Sequence, residues 1–372
     1  MKAVFALYHD MEFQSRPQEC IAALQLLGVD EIVLVTIAPW AGRPAGVRVV
    51  LSKHEGALRY LHFYRKAIET IRAERPDLVL LHDDFTAPIL RWLVKHRYAG
   101  KILFDESELY IDEKRKIKGL KDLGFRFLPY CERKYLKRVD ALMAANRERA
   151  EIMVGLYGLS MTPIVLENMR PLQTTPDAAA CAKKYDALFR PDALNVLYGG
   201  GVRRQRRTLE LAQAVRDLGP DFNLIVAGKG DPADVWALEE MAAAAHNIHY
   251  VGQVPRADWK YLLTRADVCV SIYAQDTPNN KFCASGRFYE GLLEGVPALA
   301  TTNPPLLRAC EEHGFGVADE DLKAGLMKLR ANYAFYRDNA RRFAASCPYG
   351  ERIPRLAREI EARLAGKGEG AS

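Results

Sequence analysis

The chain has 372 residues, 49% of them hydrophobic and 27% charged, with 53 Lys and Arg against 47 Asp and Glu for a net charge of +6. That length exceeds what one hydrophobic core usually organises, so two domains are expected, and so mild a basic balance carries no argument for nucleic acid. Seven scattered cysteines without a C-x-x-C pair fit a reducing cytoplasm better than a disulfide framework. Lys2 precedes only a short apolar run that Tyr8-His9-Asp10 ends, which does not read as a signal peptide. No apolar stretch approaches the roughly 20 residues that a bilayer span needs. A cytoplasmic protein, peripheral at most on the inner face of the plasma membrane, is the expectation.

Short apolar runs alternate with segments of helical period. In the first half, strands are predicted at 3–8, 31–38, 77–82, 101–105, 141–144 and 163–166. Helices are predicted between them at 16–27, 57–74, 86–96, 112–138 and 147–157. In the second half, strands are predicted at 195–198, 223–227, 248–251, 268–272 and 298–301, with helices starting near Arg206, Pro232, Ala257 and Gly286. Near-continuous apolar strands alternating with helices mean parallel sheets covered on both faces. The pattern occurs twice. An α/β chain of two doubly wound, Rossmann-like domains follows, with ligand sites at the carboxyl ends of the strands, in a central cleft that the two domains face. The expected division is 1–168, a linker at 169–191 rich in Pro and Ala, 192–348, and a last helix and tail at 349–372 that packs back on the first domain.

The second half carries the sharper motifs. Ser285-Gly286-Arg287-Phe288-Tyr289-Glu290 reads as a glycine-lipped helix start with a carboxylate one turn in. Unpaired N–H groups at such a start suit a phosphate, and Glu290 is placed to accept from a ribose diol. After the strand ending at Tyr198 comes Gly199-Gly200-Gly201-Val202-Arg203-Arg204-Gln205-Arg206-Arg207. Glycines admit a ligand close to the backbone, and Arg203 and Arg206 can clamp a diphosphate. Four arginines at a helix N-terminus oppose the macrodipole unless something offsets them, and a bound anion is one such offset. Gly228-Lys229-Gly230 follows the next strand. It is neither a P-loop, which would need Gly at 223, nor a dinucleotide fingerprint, which would need Gly at 233; the chain has Asn223 and Ala233.

Taken in order, these loops resemble the donor domain of GT-B glycosyltransferases, family 4 in particular. The matching pieces are Tyr198-Gly-Gly-Gly with a basic residue at 206, Ile225-Val-Ala-Gly-Lys-Gly, Ile248-His-Tyr-Val-Gly, Ala266-Asp267-Val268 and the stretch from Arg287 to Pro297. In the first half, Phe104-Asp105-Glu106-Ser107-Glu108-Leu109-Tyr110 is similar to the family's D-x-H-E-L-[FY] segment. The resemblance implies a GT-B fold and a sugar transferase that uses a nucleoside-diphosphate sugar, UDP- or GDP-linked, with retention. It implies a donor site of Gly200, Gly201, Arg203, Arg206, Gly228, Lys229, Ser285, Gly286, Arg287 and Glu290. No cofactor and no metal are expected. The pattern breaks in two places: Phe282 stands where family 4 has the first glutamate of E-x7-E, and Ser107 stands where it has a histidine beside the transferred sugar. Catalytic candidates are therefore the local carboxylates Asp105, Glu106 and Glu108, together with His9; His82 ends a neighbouring strand. A run His82-Asp83-Asp84 makes a poor metal ligand set without distant partners.

Between Lys114 and Arg138 ten Lys and Arg face two acids, a local net charge of +8, interleaved with Phe125, Phe127, Tyr130 and Tyr135. An anionic membrane surface, where lipid-linked acceptors reside, is the expected partner of this stretch; the bland reading is a solvated helical face. No nucleic-acid-binding module accompanies it. The expected acceptor is a glycan or lipid-linked saccharide of envelope polysaccharide or lipopolysaccharide synthesis. Two rival readings stay open: a non-catalytic nucleotide-sugar-binding subunit, and a sugar-nucleotide 2-epimerase of the same fold.

Overall fold

The computed structural model describes residues 1–53, 56, 58–109 and 127–366. The chain divides into two compact units, residues 1–167 with 350–372, and residues 168–349.

The first unit is a seven-stranded sheet: β1 Lys2–Leu7, β2 Glu31–Thr36, β3 Val47–Leu51, β4 Leu78–His82, β5 Lys101–Glu106, β6 Ala141–Ala144 and β7 Ile164–Val165. Its order is β3-β2-β1-β4-β5-β6-β7, and every pairing is parallel. The central strands read as continuous apolar runs because both faces are covered. The order reverses between β1 and β4, so the loops after those strands open at the crevice where such sheets bind ligands. The helices are α1 Ser15–Leu26, α2 Arg59–Glu74, α3 Ala87–Lys95, α4 Phe127–Tyr135 and α5 Arg147–Tyr157. The basic segment foreseen as a helix over 112–138 is described only from Phe127; residues 112–126 of it lie outside the described residues.

The second unit opens with α6 Ala178–Tyr185, inside the segment expected as a linker. Cys181 and Tyr185 of that helix are buried against Leu197, Ile225 and Trp259, so this stretch belongs to a core. Six strands follow, β8 Leu194–Gly199, β9 Phe222–Ala227, β10 Ile248–Gly252, β11 Val268–Ser271, β12 Ala298–Ala300 and β13 Gly316–Ala318, in the parallel order β10-β9-β8-β11-β12-β13. This is again a doubly wound order, reversing between β8 and β11. The helices are α7 Thr208–Leu218, α8 Pro232–Ala244, α9 Arg256–Arg265, α10 Pro278–Lys281, α11 Gly286–Leu293, α12 Pro304–His313, α13 Leu322–Ala331 and α14 Tyr333–Ser346. The last helix, α15 Tyr349–Leu364, buries Leu356, Ala357 and Ile360 in the core of the first unit. Its Arg352 pairs with buried Glu19 at 3.0 Å and donates to the carbonyl of Glu167.

Two strands, β3 and β13, escape sequence reading. β3 is an edge strand with Arg48 exposed, reached through the turn residues Pro44 and Gly46. β13 is three residues long and begins at Gly316, where a Cβ would come 2.3 Å from the carbonyl oxygen of Ala298. Neither offers the sustained apolar run that marks the inner strands.

Candidate active site

In the second unit the loops at the switch point are built on backbone contacts. Gly200 N–H donates to Ala227 O at 3.0 Å, Val202 N–H to Lys229 O at 3.1 Å, and Asp231 N–H to Val202 O at 3.0 Å. A Cβ on Gly228 would lie 1.8 Å from Gly200 O, and one on Gly230 1.7 Å from Val202 O. These two glycines are thus required by the stacking of one loop on the other. Lys229, between them, points its side chain to solvent.

The arginines fall into different settings. Arg204 and Arg206 lie in a 3-10 turn ahead of α7 rather than in its first turn. Arg207, at φ +48°, is offset by Glu210 at 2.8 Å and Glu320 at 2.7 Å. Arg203 is exposed. Arg206 stands apart: its guanidinium lies 4.0 Å from the centroid of the Tyr273 ring, and its buried Nη1 has no hydrogen-bond partner. Ala274 N–H donates to Gln205 O at 2.9 Å, tying this turn to the loop after β11 and holding Arg206 at the β8/β11 switch point. A buried, unpaired guanidinium nitrogen is costly to leave without an acceptor.

The helix α11 starts at Gly286 with Ser285 as its N-cap, whose Oγ accepts from Phe288 N–H at 3.2 Å. Its first-turn N–H groups at Gly286 and Arg287 are the type that holds an anion. One turn on, Glu290 is 8% exposed. Its Oε2 accepts from Trp259 Nε1 at 2.9 Å and from Arg287 Nη1 at 2.7 Å. Its Oε1 has only a long contact to Arg256 Nη2 at 3.3 Å, and that arginine is largely solvent-exposed. One oxygen is therefore spent on the protein and the other is open to a hydroxyl. Trp259 was not singled out from sequence. Its ring packs on Gly199, where a Cβ would sit 2.3 Å from it, and the Arg287 guanidinium lies 4.7 Å from its ring centroid.

The first unit gathers a second cluster at the β1/β4 switch point. Asp105, at the end of β5, is fully buried. It accepts from Arg16 Nε at 2.9 Å and from His82 Nδ1 at 2.9 Å. His82 Nε2 lies 3.1 Å from Asp83 Oδ2, and His9 Nε2 lies 3.6 Å from the same oxygen. The other oxygen, Asp83 Oδ1, accepts from Ser107 N–H at 2.9 Å and Ser107 Oγ at 2.7 Å. Burial alone would raise the Asp105 carboxyl, but Arg16 and His82 reverse this and hold it down at about 2. Burial alone would lower His82, but Asp83 and Asp105 on its two sides raise it to about 10. Asp83 is held well below the usual carboxylate range by His82, against its own burial. The row Arg16, Asp105, His82, Asp83 thus alternates in charge.

Asp83 sits at φ +59° and ψ 171°, a region a non-glycine residue adopts at a cost of about 1–3 kcal/mol. Its N–H donates to Asp105 O at 2.9 Å, and its carbonyl accepts from Thr86 N–H at 2.9 Å and Thr86 Oγ1 at 2.8 Å, which fix the backbone there.

Of the four catalytic candidates, Asp105 is walled in by its partners and positions neighbours instead of meeting a substrate. Glu106 is buried too, and burial and then Glu132 raise its carboxyl well above the ordinary value. Glu108 is half-exposed and lies 3.8 Å from Arg149, which also donates to the carbonyl of Ser107. His9, with its side chain 36% exposed, is the imidazole that reaches solvent. Among the described residues no group of His, Cys, Asp and Glu has the arrangement to hold a metal ion, and no described helix is long and apolar enough to cross a membrane.

Two doubly wound units with strand orders of this kind define the GT-B architecture. Residues 14–166, within the first unit, match the family described as Glycosyl transferase 4-like domain. The family match covers that segment, and the whole chain shares the GT-B fold with solved glycosyltransferases. Similar solved structures include a sucrose-phosphate synthase from Thermosynechococcus elongatus, with TM-score 0.73 at 14% identity over 98% of this chain and 99% of that one. Anabaena HepE in complex with UDP-glucose aligns with TM-score 0.70 at 13% identity, over 98% and 100% of the two chains. WaaG, a glycosyltransferase involved in lipopolysaccharide biosynthesis, aligns with TM-score 0.67 at 15% identity, over 97% and 99%. At such identities the likeness is one of fold. No curated protein matches the sequence.

Proposed function

We propose that the chain transfers a sugar from a nucleoside-diphosphate sugar, UDP- or GDP-linked, to a saccharide or lipid-linked saccharide, with retention of configuration. The observation that carries this reading is Arg206, whose buried Nη1 lacks an acceptor at the switch point of the second unit. In this reading Arg206 and Arg203 take the diphosphate, the N–H groups of Gly286 and Arg287 take its free oxygens, and Oε1 of Glu290 accepts from a ribose hydroxyl. Preorganised cationic and N–H donors stabilise a departing diphosphate electrostatically. His9 takes the place of the imidazole that Ser107 lacks and orients the acceptor hydroxyl. That HepE was solved with UDP-glucose favours a uridine donor, and the lipopolysaccharide role of WaaG favours an envelope acceptor.

The described part of the basic segment supports an anionic membrane surface as partner. Phe127 and Tyr130 are exposed on α4, 40% and 47%, among exposed Arg133, Lys134, Lys137 and Arg138. Aromatic and cationic side chains on one helix suit the headgroup region.

The test is thermal shift of the wild type and Glu290→Ala with UDP, GDP, ADP, dTDP and CMP and their common sugars. A ligand at about 100 times its Kd stabilises the folded state by about 2.7 kcal/mol. A shift with one diphosphate family, smaller in Glu290→Ala, supports the donor site. No shift with any nucleotide sinks it. Binding without turnover on water or any saccharide favours the reading as a non-catalytic subunit, for which Ser107 and Phe282 are the motive.

A further inference from the structure

We infer that Asp83 is a positioning residue for His9, held for that task by Ser107 and by the row Arg16, Asp105 and His82. The inference rests on the proposed role of His9 in transfer.

Three features carry it. First, Asp83 adopts φ +59° without being glycine, so the backbone is held against its own preference by the hydrogen bonds to Asp105 and Thr86. Such a conformation persists only where the surroundings over-determine it. Second, the carboxylate is divided between two tasks. Oδ1 is anchored by Ser107 through both its N–H and its hydroxyl, at 2.9 and 2.7 Å. Oδ2 faces two imidazole nitrogens, His82 Nε2 at 3.1 Å and His9 Nε2 at 3.6 Å. Third, the partners differ in access. His82 is buried and also bound to Asp105, whereas His9 is partly exposed and reaches Asp83 from the solvent side. A carboxylate fixed on one oxygen and shared on the other sets the orientation of an imidazole, as outer-shell carboxylates do for histidines in many sites. At 3.6 Å the His9 contact is an ion-pair distance, longer than a hydrogen bond; contacts of this kind tighten when substrate is bound.

The substitution at 107 gains a physical account from this arrangement. The serine does not replace the family imidazole in reaching a sugar. Its hydroxyl is spent on Asp83, and the imidazole comes instead from the loop after β1.

The experiment uses the full chain with 15N-labelled histidine. The His9 ring signals are assigned by their loss in His9→Gln and followed in Asp83→Asn and Ser107→Ala. The inference expects the His9 ring nitrogens to shift clearly in Asp83→Asn and in the same direction, by less, in Ser107→Ala. Unchanged His9 signals in both variants overturn it. Where Asp83→Asn does not fold, Ser107→Ala carries the same decision. Donor consumption is then measured with the nucleotide sugar selected by thermal shift. Asp83→Asn and His9→Gln are each expected to lose about a hundredfold in kcat with donor KM unchanged, and the double variant to be no worse than His9→Gln alone. Additive losses mean that Asp83 acts otherwise than through His9. A His9→Gln enzyme of full activity, with ring signals that respond to Asp83→Asn, removes the proposed role of His9 while leaving the positioning intact.

Discussion

Trp259 Nε1 donates to Glu290 Oε2 at 2.9 Å, and the indole that makes this bond packs against Gly199, at the end of the central strand β8. The carboxylate proposed for the ribose is thereby fixed to the sheet through an aromatic plate. Trp259→Phe keeps the plate and removes the donor. The expected result is a loss of about 1 kcal/mol in stability and a weaker, still measurable, affinity for the nucleoside diphosphate, read by denaturant titration and calorimetry. Unchanged nucleotide affinity separates Trp259 from the donor site.

Arg206 supplies the second prediction. A charge-assisted bond from its free Nη1 to a phosphate is worth about 1.5–3 kcal/mol. Arg206→Gln should weaken the nucleoside diphosphate by roughly ten- to a hundredfold and leave the bare nucleoside unaffected. The same variant should lose only the contact of the guanidinium with the Tyr273 ring, about 0.5–2 kcal/mol, since the wild-type Nη1 has no hydrogen-bond partner to forfeit. Equal losses for diphosphate and nucleoside place Arg206 away from the phosphates.

Much of the fold was legible because its inner strands are continuous apolar runs; 78–82 and 222–227, buried at every position, are plain examples. The strands β3 and β13 were not, since β3 carries an exposed Arg48 and β13 is three residues long and opens with a glycine. In the loops proposed for the donor, the sequence singled out Gly228 and Arg206, but the reason for Gly228 lay in a carbonyl of another loop, 1.8 Å from where its Cβ would be. Trp259 was invisible for the same reason: it lies 31 residues before Glu290 and meets it only in the fold. The carboxylates at 105 and 106 were found as a motif, yet the groups that act on their charge, Arg16 and Glu132, are connected to them by no local pattern.

The buried row in the first unit makes stability depend on pH at both ends. His82 is raised from an ordinary 6.5 to about 10, so its contribution is full below 6.5 and is lost as pH rises towards 10. Asp105 is lowered from 3.8 to about 2, so its contribution is full above 3.8 and is lost as pH falls towards 2. Between pH 7 and 10 the chain should lose up to about 1.4 kcal/mol per pH unit from His82. Denaturation midpoints across that range check it. A His82→Asn variant with the same alkaline slope assigns the loss to other groups.

Arg16 tests whether the row is held by charge or by shape. It donates from Nε to both oxygens of Asp105 at 2.9 Å and from Nη1 to the carbonyl of Leu166, which joins α1, β5 and the segment after β7. Arg16→Met removes the cation at similar side-chain length and leaves Asp105 buried with His82 and the Cys20 thiol. Breaking a buried pair in this way costs about 3–5 kcal/mol, enough to lower the first unit's melting point or prevent its folding. A second replacement, Asp105→Leu, removes the stranded charge. If the single variant fails through that charge, the double variant should recover part of the loss in a thermal melt, although His82 then loses one of its two carboxylates. If the double variant is as unstable as the two single losses added together, Arg16 and Asp105 do not act as a coupled pair, and the guanidinium stabilises the unit through its bond to Leu166 and its packing instead.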